Sequence, residues 1–257
     1  MSIIYGPVPS WRLKRSLGID MVCTKGKTCS FDCVYCQLGD TLNKEACRSE
    51  FVTIDSLQKE LELLPPVEAD YATFSGVGEP TLAANLGKAI ETVRSSLQIP
   101  VAVLTNSSLL YDKSVRGDLA GADTVVAKLD AADDDMLRRL NRPVFSLSVH
   151  QIIDGLKAFR YIFSGKLAIQ IMFIQINREK AAELASLVKE LAPDEIQINT
   201  PLRPCAIKPL DPADLSQISS HFSGLKSVIT VYEAEKRAVA PLDRQQTERR
   251  RPEAKQT

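Results

Sequence analysis

The chain has 257 residues, 44% of them hydrophobic, with 32 basic side chains against 32 acidic ones and a formal net charge of zero. That length suits one large α/β domain or two small ones, and zero net charge supplies no global positive field to recruit nucleic acid or an anionic membrane. Apolar runs are strand-sized and too short to span a bilayer, and six cysteines with no secretory leader fit a reducing, cytoplasmic setting better than a disulfide framework.

Residues 1–16 include Tyr5, Trp11, Arg12, Lys14 and Arg15 among several turn formers. They read as an N-terminal arm packed over the domain by its aromatics, with the basic residues as a solvated face. Leu17 to Val22 is expected to be the first strand, followed by a cysteine-bearing loop. A helix over 55–64, with Asp55 as N-cap, is stopped by Pro65 and Pro66. Strands are then expected over 70–75, 101–106, 124–130, 167–174, 195–200 and 226–232. Helices over 83–97, 112–120, 133–139, 148–163, 178–191 and 212–222 alternate with them, and His150 reads as a helix-start residue. This divides the chain into an arm (1–16), a barrel core (17–205), a C-terminal helix and strand (206–240), and a polar tail (241–257). The tail, with Arg249, Arg250 and Arg251, reads as disordered and solvated.

Six consecutive strand–helix units imply a parallel sheet with right-handed crossovers, curled into a partial or complete barrel. Ligand chemistry then belongs at the C-terminal ends of the strands. Side-chain alternation along the later strands is informative. It places Val126, Lys128 and Asp130 on one face, Gln170 and Met172 inside, and Gln197 and Asn199 inside. Burying these polar groups without partners would cost on the order of 1–3 kcal/mol each, which points to a polar ligand and water in the interior.

Cys29, Cys33 and Cys36 stand at spacings of four and three in one short loop. Three thiolates without a fourth nearby suit an iron–sulfur cube with one iron left open. Structural zinc is the competing reading, but it wants a second ligand pair, and His150 and His221 are distant and unpaired. Cys23, Cys47 and Cys205 read as ordinary thiols. After the second predicted strand comes Gly76-Val77-Gly78-Glu79-Pro80, a glycine turn that lets a ligand approach the backbone and a proline that favours a helix start.

In this order and spacing, the three cysteines and the Gly-x-Gly-Glu-Pro turn resemble the signatures of the radical S-adenosylmethionine (radical SAM) superfamily. With Lys128-Leu129-Asp130, Asn141-Arg142-Pro143 and Asn199-Thr200-Pro201, the set is similar to a compact archaeal and bacterial group related to the wyosine-base synthases. The resemblance implies a partial (βα)6 TIM-like barrel and a [4Fe–4S] cluster held by Cys29, Cys33 and Cys36. It also implies reductive cleavage of SAM to a 5′-deoxyadenosyl radical that takes hydrogen from a substrate. Gly76, Gly78 and Glu79 would bind the methionine amine, and Tyr35 would lie against the adenine. Asn106 and Asp130 would meet the ribose, and Lys128 the SAM carboxylate. Gln170, Asn199, Arg142 and Arg203 are candidates for the substrate or the SAM carboxylate. A low-potential electron donor, ferredoxin or flavodoxin, is the implied partner. RNA is the less favoured substrate, wyosine-type tRNA modification and glycyl-radical activation are alternative activities, and an electron carrier or zinc-stabilised module is the non-enzymatic alternative.

Overall fold

The computed structural model describes residues 1–234 and 238–252. Its strands are β1 (Ile4–Ser10), β2 (Lys14–Ile19), β3 (Thr28–Cys29), β4 (Asn43–Lys44), β5 (Tyr71–Phe74), β6 (Val101–Thr105), β7 (Thr124–Lys128), β8 (Lys166–Met172), β9 (Glu195–Asn199) and β10 (Val228–Thr230). Helices α1 (Ile54–Glu62), α2 (Leu86–Leu97), α3 (Lys113–Leu119), α4 (Asp134–Leu140), α5 (Val149–Ile162), α6 (Ala181–Leu191), α7 (Pro212–Ser220) and α8 (Arg244–Arg250) follow the alternation expected, with α8 as an addition. Eight strands form one open, curled sheet in the order β1-β2-β5-β6-β7-β8-β9-β10, parallel from β2 onward. The fold is the α/β half-barrel that the strand–helix alternation implied.

Two parts of the chain depart from expectation. Residues 4–10, expected as an arm packed over the domain, form an edge strand, running antiparallel to β2 with Ile4 opposite Ile19 and Ser10 opposite Lys14. The prolines hid this strand, since proline is tolerated at a sheet edge where no partner needs its N–H. Residues 241–252 are not a solvated tail: α8 lies along β1, with Leu242 N donating to Gly6 O at 2.6 Å and Gly6 N to Thr247 Oγ1 at 3.1 Å. Arg250 fixes it there, buried and paired with buried Asp20 at 2.7 Å. The rest of the expected tail, 253–257, and residues 235–237 of the expected C-terminal unit lie outside the described residues.

Local chemistry sets the helix ends. Thr53, rather than Asp55, caps α1 by accepting from Ser56 N at 3.2 Å, which leaves Asp55 in the first turn facing the positive end of the helix dipole. Ser148 and Gln151 form a reciprocal capping box on α5, and His150 sits in that first turn, exposed, 3.4 Å from Asp154. The apolar faces of the strands pack outward on the helices. Leu167, Ile169 and Ile171 of β8 and Ile196 and Ile198 of β9 are buried with α5 and α6 side chains such as Leu156, Phe159, Leu184 and Val188 in one core. The opposite, polar faces are left to line the interior.

Candidate active site

The cysteine loop leaves the C-terminal end of β2 and is held down from several directions. Thr28 N donates to Val77 O at 3.1 Å, and Glu79 N donates to Thr28 O at 3.2 Å, so the loop and the glycine turn run side by side like short parallel strands. Only glycine fits at position 78, because a β-carbon there would sit 1.6 Å from the Thr28 carbonyl oxygen. At position 76 it would sit 2.1 Å from the carboxyl carbon of Asp20. The residues flanking Cys29 and the Gly-x-Gly-Glu turn are therefore positioned as one unit.

The surroundings of the thiols suit an anionic cluster. Asn106 Nδ2 lies 3.5 Å from Cys29 Sγ, the Phe31 N–H also points at Cys29 Sγ at 3.5 Å, and Asn141 Nδ2 lies 3.4 Å from Cys33 Sγ. Donors aimed at sulfur stabilise thiolate charge and help set a cluster's potential. Burial pushes the Cys29 thiol up to about 12, assisted by the nearby Glu79 carboxylate and Cys33, while Lys27 acts in the opposite direction. Burial likewise raises Cys33, against the opposing effect of Lys128 and Asn141. Metal must therefore displace protons from these thiols, and a bound cluster would discharge the desolvated negative charge. Among the described residues, no group of three His, Cys, Asp or Glu side chains is arranged to hold a metal ion. Cys29 and Cys33 with their N–H donors, together with Cys36 at the cavity wall, fit a cluster as a donor set.

Glu79 is almost completely buried. Its Oε1 accepts from Thr81 N (3.1 Å), Thr81 Oγ1 (2.7 Å) and Thr105 Oγ1 (2.6 Å), and its Oε2 accepts from Asn106 N (2.7 Å). Burial pushes this carboxyl above its ordinary value, only partly offset by those donors. A cation beside Oε2 would restore the balance.

On the other side lies a cavity of about 740 Å³ on the inner face of the half-barrel. Tyr35, Cys36, Gly76, Lys128, Gln170, Asn199 and Arg203 line it, and so does Met172, as the strand alternation predicted. Asn106 and Asp130 instead border a slot of about 10 Å³ on the other side of Lys128. Asp130 is tied up structurally: Oδ1 accepts from Met172 N at 2.7 Å, and Oδ2 takes the Tyr35 hydroxyl, Asn141 Nδ2 at 2.9 Å and the Lys128 ammonium at 3.3 Å. Asp130, expected at the ribose, orients Tyr35 and Lys128 here, the latter lying 4.5 Å from the centre of the Tyr35 ring. Arg142 is exposed at the end of α4 and does not line the cavity. Gln197 points inward but is sealed in the wall, with Nε2 on Glu195 and a buried Oε1 that has no partner.

The residues sequence reasoning missed come from the two ends of the chain. Trp11, expected to pack the arm over the domain, and Arg12, expected on its solvated face, line the cavity, and so do Arg250 and Arg251. A signal for the first pair was present, since a strand–turn–strand reading of 4–19 would have put 11–13 in a hairpin turn. For the second pair no local signal existed.

A half-barrel sheet with a three-cysteine loop after its first parallel strand and a glycine–glutamate turn after the next defines a SAM-binding iron–sulfur enzyme class. The family model described as the radical SAM superfamily matches residues 24–188, and the chain belongs to that superfamily. It is 43% identical over 211 residues to a UPF0026 protein of Synechocystis sp., covering 80% of this chain and 77% of that one. It is 39% identical over 236 residues to a UPF0026 protein of Methanocaldococcus jannaschii, covering 89% and 73%. Among solved structures it resembles Streptococcus suis SuiB bound to S-adenosylmethionine, with a TM-score of 0.62 and 19% identity, covering 80% of this chain and 48% of SuiB. It thus spans about half of the SuiB chain. Native anSMEcpe with bound AdoMet gives a TM-score of 0.63 at 17% identity, covering 84% of this chain and 64% of that one. The protein is a radical SAM enzyme using a [4Fe–4S] cluster and SAM. Among the described residues, no helix is long and apolar enough to cross a membrane.

Proposed function

We propose that Cys29, Cys33 and Cys36 hold the cluster, that SAM lies between the Gly76–Glu79 turn and Tyr35, and that the substrate occupies the cavity beyond. When bound, the cluster and SAM together supply a one-electron cleavage whose 5′-deoxyadenosyl product takes a hydrogen atom from the substrate. The observation that carries this reading is a single cavity whose wall includes Cys36, Gly76 and Tyr35 at one end and inward-facing Gln170 and Asn199 along its length. In it, Gly78 keeps the backbone close to Thr28, and Glu79 presents Oε2 to the methionine ammonium. Lys128, steadied by Asp130 and the Tyr35 ring, offers an ammonium at the cavity wall. Gln170 and Asn199 hold polar groups of the substrate. A ferredoxin or flavodoxin supplies the electron.

Anaerobic reconstitution is expected to give about four irons per chain, and dithionite with SAM to release 5′-deoxyadenosine. Cys33→Ala is expected to lose both. Release of 5′-deoxyadenosine by that variant at the wild-type rate would overturn the assignment.

A further inference from the structure

Two buried carboxylates, Glu79 and Asp130, flank the cysteine loop, and an asparagine stands between each of them and a cysteine sulfur. Asn106 donates its backbone N–H to Glu79 Oε2 at 2.7 Å, and its side-chain Nδ2 lies 3.5 Å from Cys29 Sγ. Its other bonds hold it in that pose, with Nδ2 donating to Ser30 Oγ at 2.9 Å and Oδ1 accepting from Ser108 N at 2.9 Å. Asn141 repeats the arrangement with a single amide. Its Nδ2 lies 2.9 Å from Asp130 Oδ2 and 3.4 Å from Cys33 Sγ, and its backbone carbonyl accepts from Asp32 N in the same loop at 3.0 Å. Charges of like sign repel strongly where water is excluded, so an electron added beside two buried carboxylates meets an unfavourable field. Lys128 answers Asp130 at 3.3 Å, whereas Glu79 is met by the neutral donors of Thr81, Thr105 and Asn106. Burial is the main influence raising both thiols. Glu79 adds to it at Cys29 and Asp130 at Cys33, while Lys128 and then the Asn141 amide oppose it at Cys33.

We propose that Asn106 and Asn141 are positioning residues for electron entry: each donates to a cluster thiolate and fixes the carboxylate beside it, and together they make the cluster easier to reduce than the two carboxylates alone would allow. This rests on the reading that Cys29, Cys33 and Cys36 hold the cluster. In the step concerned, one electron passes from the low-potential donor to the cluster, and no bond is made or broken. An N–H directed at sulfur favours the reduced state, because that state carries the greater negative charge. Asparagine suits both places because its amide donates without carrying charge. A lysine or arginine in the place of Asn106 would neutralise Glu79 and compete with the methionine ammonium for it. With a neutral donor, Glu79 keeps its charge for SAM and Asp130 keeps its charge for Tyr35 and Lys128.

Redox titration of the anaerobically reconstituted enzyme without SAM, followed by the EPR signal of the reduced cluster, tests this. Asn106→Leu and Asn141→Leu keep the approximate volume and remove the donor. Each is expected to lower the midpoint potential, shifting the reduction equilibrium by roughly threefold to tenfold, ~28 to ~59 mV for one electron. Glu79→Gln is expected to raise the potential, an opposite sign that general damage to the loop does not produce. Asn177→Leu is the structural control, since that buried side chain donates to Asp130 O and Met172 O, each at 3.0 Å, and not to sulfur. It is expected to lower the denaturation midpoint and leave the potential unchanged. Should the leucine variants not retain iron, wild-type protein isotopically labelled in its asparagine side-chain amides carries the test. Pulsed EPR of its reduced cluster is expected to show coupling to the amide nitrogens, and absence of that coupling would overturn the proposal. So would an unshifted or raised potential in iron-replete leucine variants, an unshifted or lowered one in Glu79→Gln, or an equal shift in Asn177→Leu. Iron content of the wild type is a separate measurement. A wild type without iron fails the cluster assignment itself, whereas an iron-replete wild type with unshifted variants fails only the roles given to the asparagines.

Discussion

At position 78 the side chain is decided by a carbonyl group. The 1.6 Å approach that a β-carbon would make to Thr28 O involves backbone on both sides, and neither side can swing away as a long side chain would. Gly78→Ala is expected to destabilise the protein by at least ~1–3 kcal/mol in urea titration and to impair iron uptake, because the Thr28 bridge orients Cys29. Gly117, inside α3 with nothing within 4 Å of where a β-carbon would sit, is the control. Gly117→Ala is expected to stabilise by ~0.5–1 kcal/mol. Equal midpoints for the two variants would show that the loop is not held as described. At this scale the cysteines, the two glycines and Glu79 were legible because their chemistry depends on residue type and spacing. Asn106 and Asn141 were not legible as thiol partners, because their amides meet Cys29 and Cys33 only across 77 and 108 residues of sequence.

Among the elements, α4 illustrates how a cap links helix to pH. Asp133 accepts from Met136 N at 2.8 Å, and that bond, with a contribution from Lys180, holds the carboxyl below its ordinary 3.8. A depressed folded-state value means that the stabilisation is present above the unfolded value and lost as pH falls through the folded one. Asp133→Ala is expected to cost about 1 kcal/mol at neutral pH, with the gap from wild type narrowing as the pH is taken below 3.8. A gap independent of pH would refute the cap's electrostatic role. The strands and helices were legible to within a few residues, since period-two alternation in β7, β8 and β9 and helix-stopping prolines are local signals. What escaped was β1, because prolines in an edge strand look like a loop when read without the partner strand.

For the molecule as a whole, the Arg250–Asp20 pair decides how the open sheet is finished. Both side chains are essentially inaccessible to water, and Arg250 also donates to Ser2 O at 2.6 Å and lies over the Tyr5 ring. Removing one partner of such a pair strands the other charge, so Arg250→Met is expected to cost about 3–5 kcal/mol by chemical denaturation. Asp20→Asn combined with Arg250→Met should recover part of that loss. Full additivity of the two substitutions would show that the charges do not act as a pair.

The sequence by itself determined the parallel half-barrel, the cysteine triad, the glycine–glutamate turn and the polar inner faces of the later strands, because each is written in short-range periodicity or spacing. Only the tertiary structure decided that Asp130 anchors Tyr35 and Lys128, that Arg142 stays outside, and that Arg12, Arg203 and Arg250 meet at one cavity. Those outcomes depend on which distant charges are buried together, and burial is a property of the curled sheet that no local stretch of chain carries.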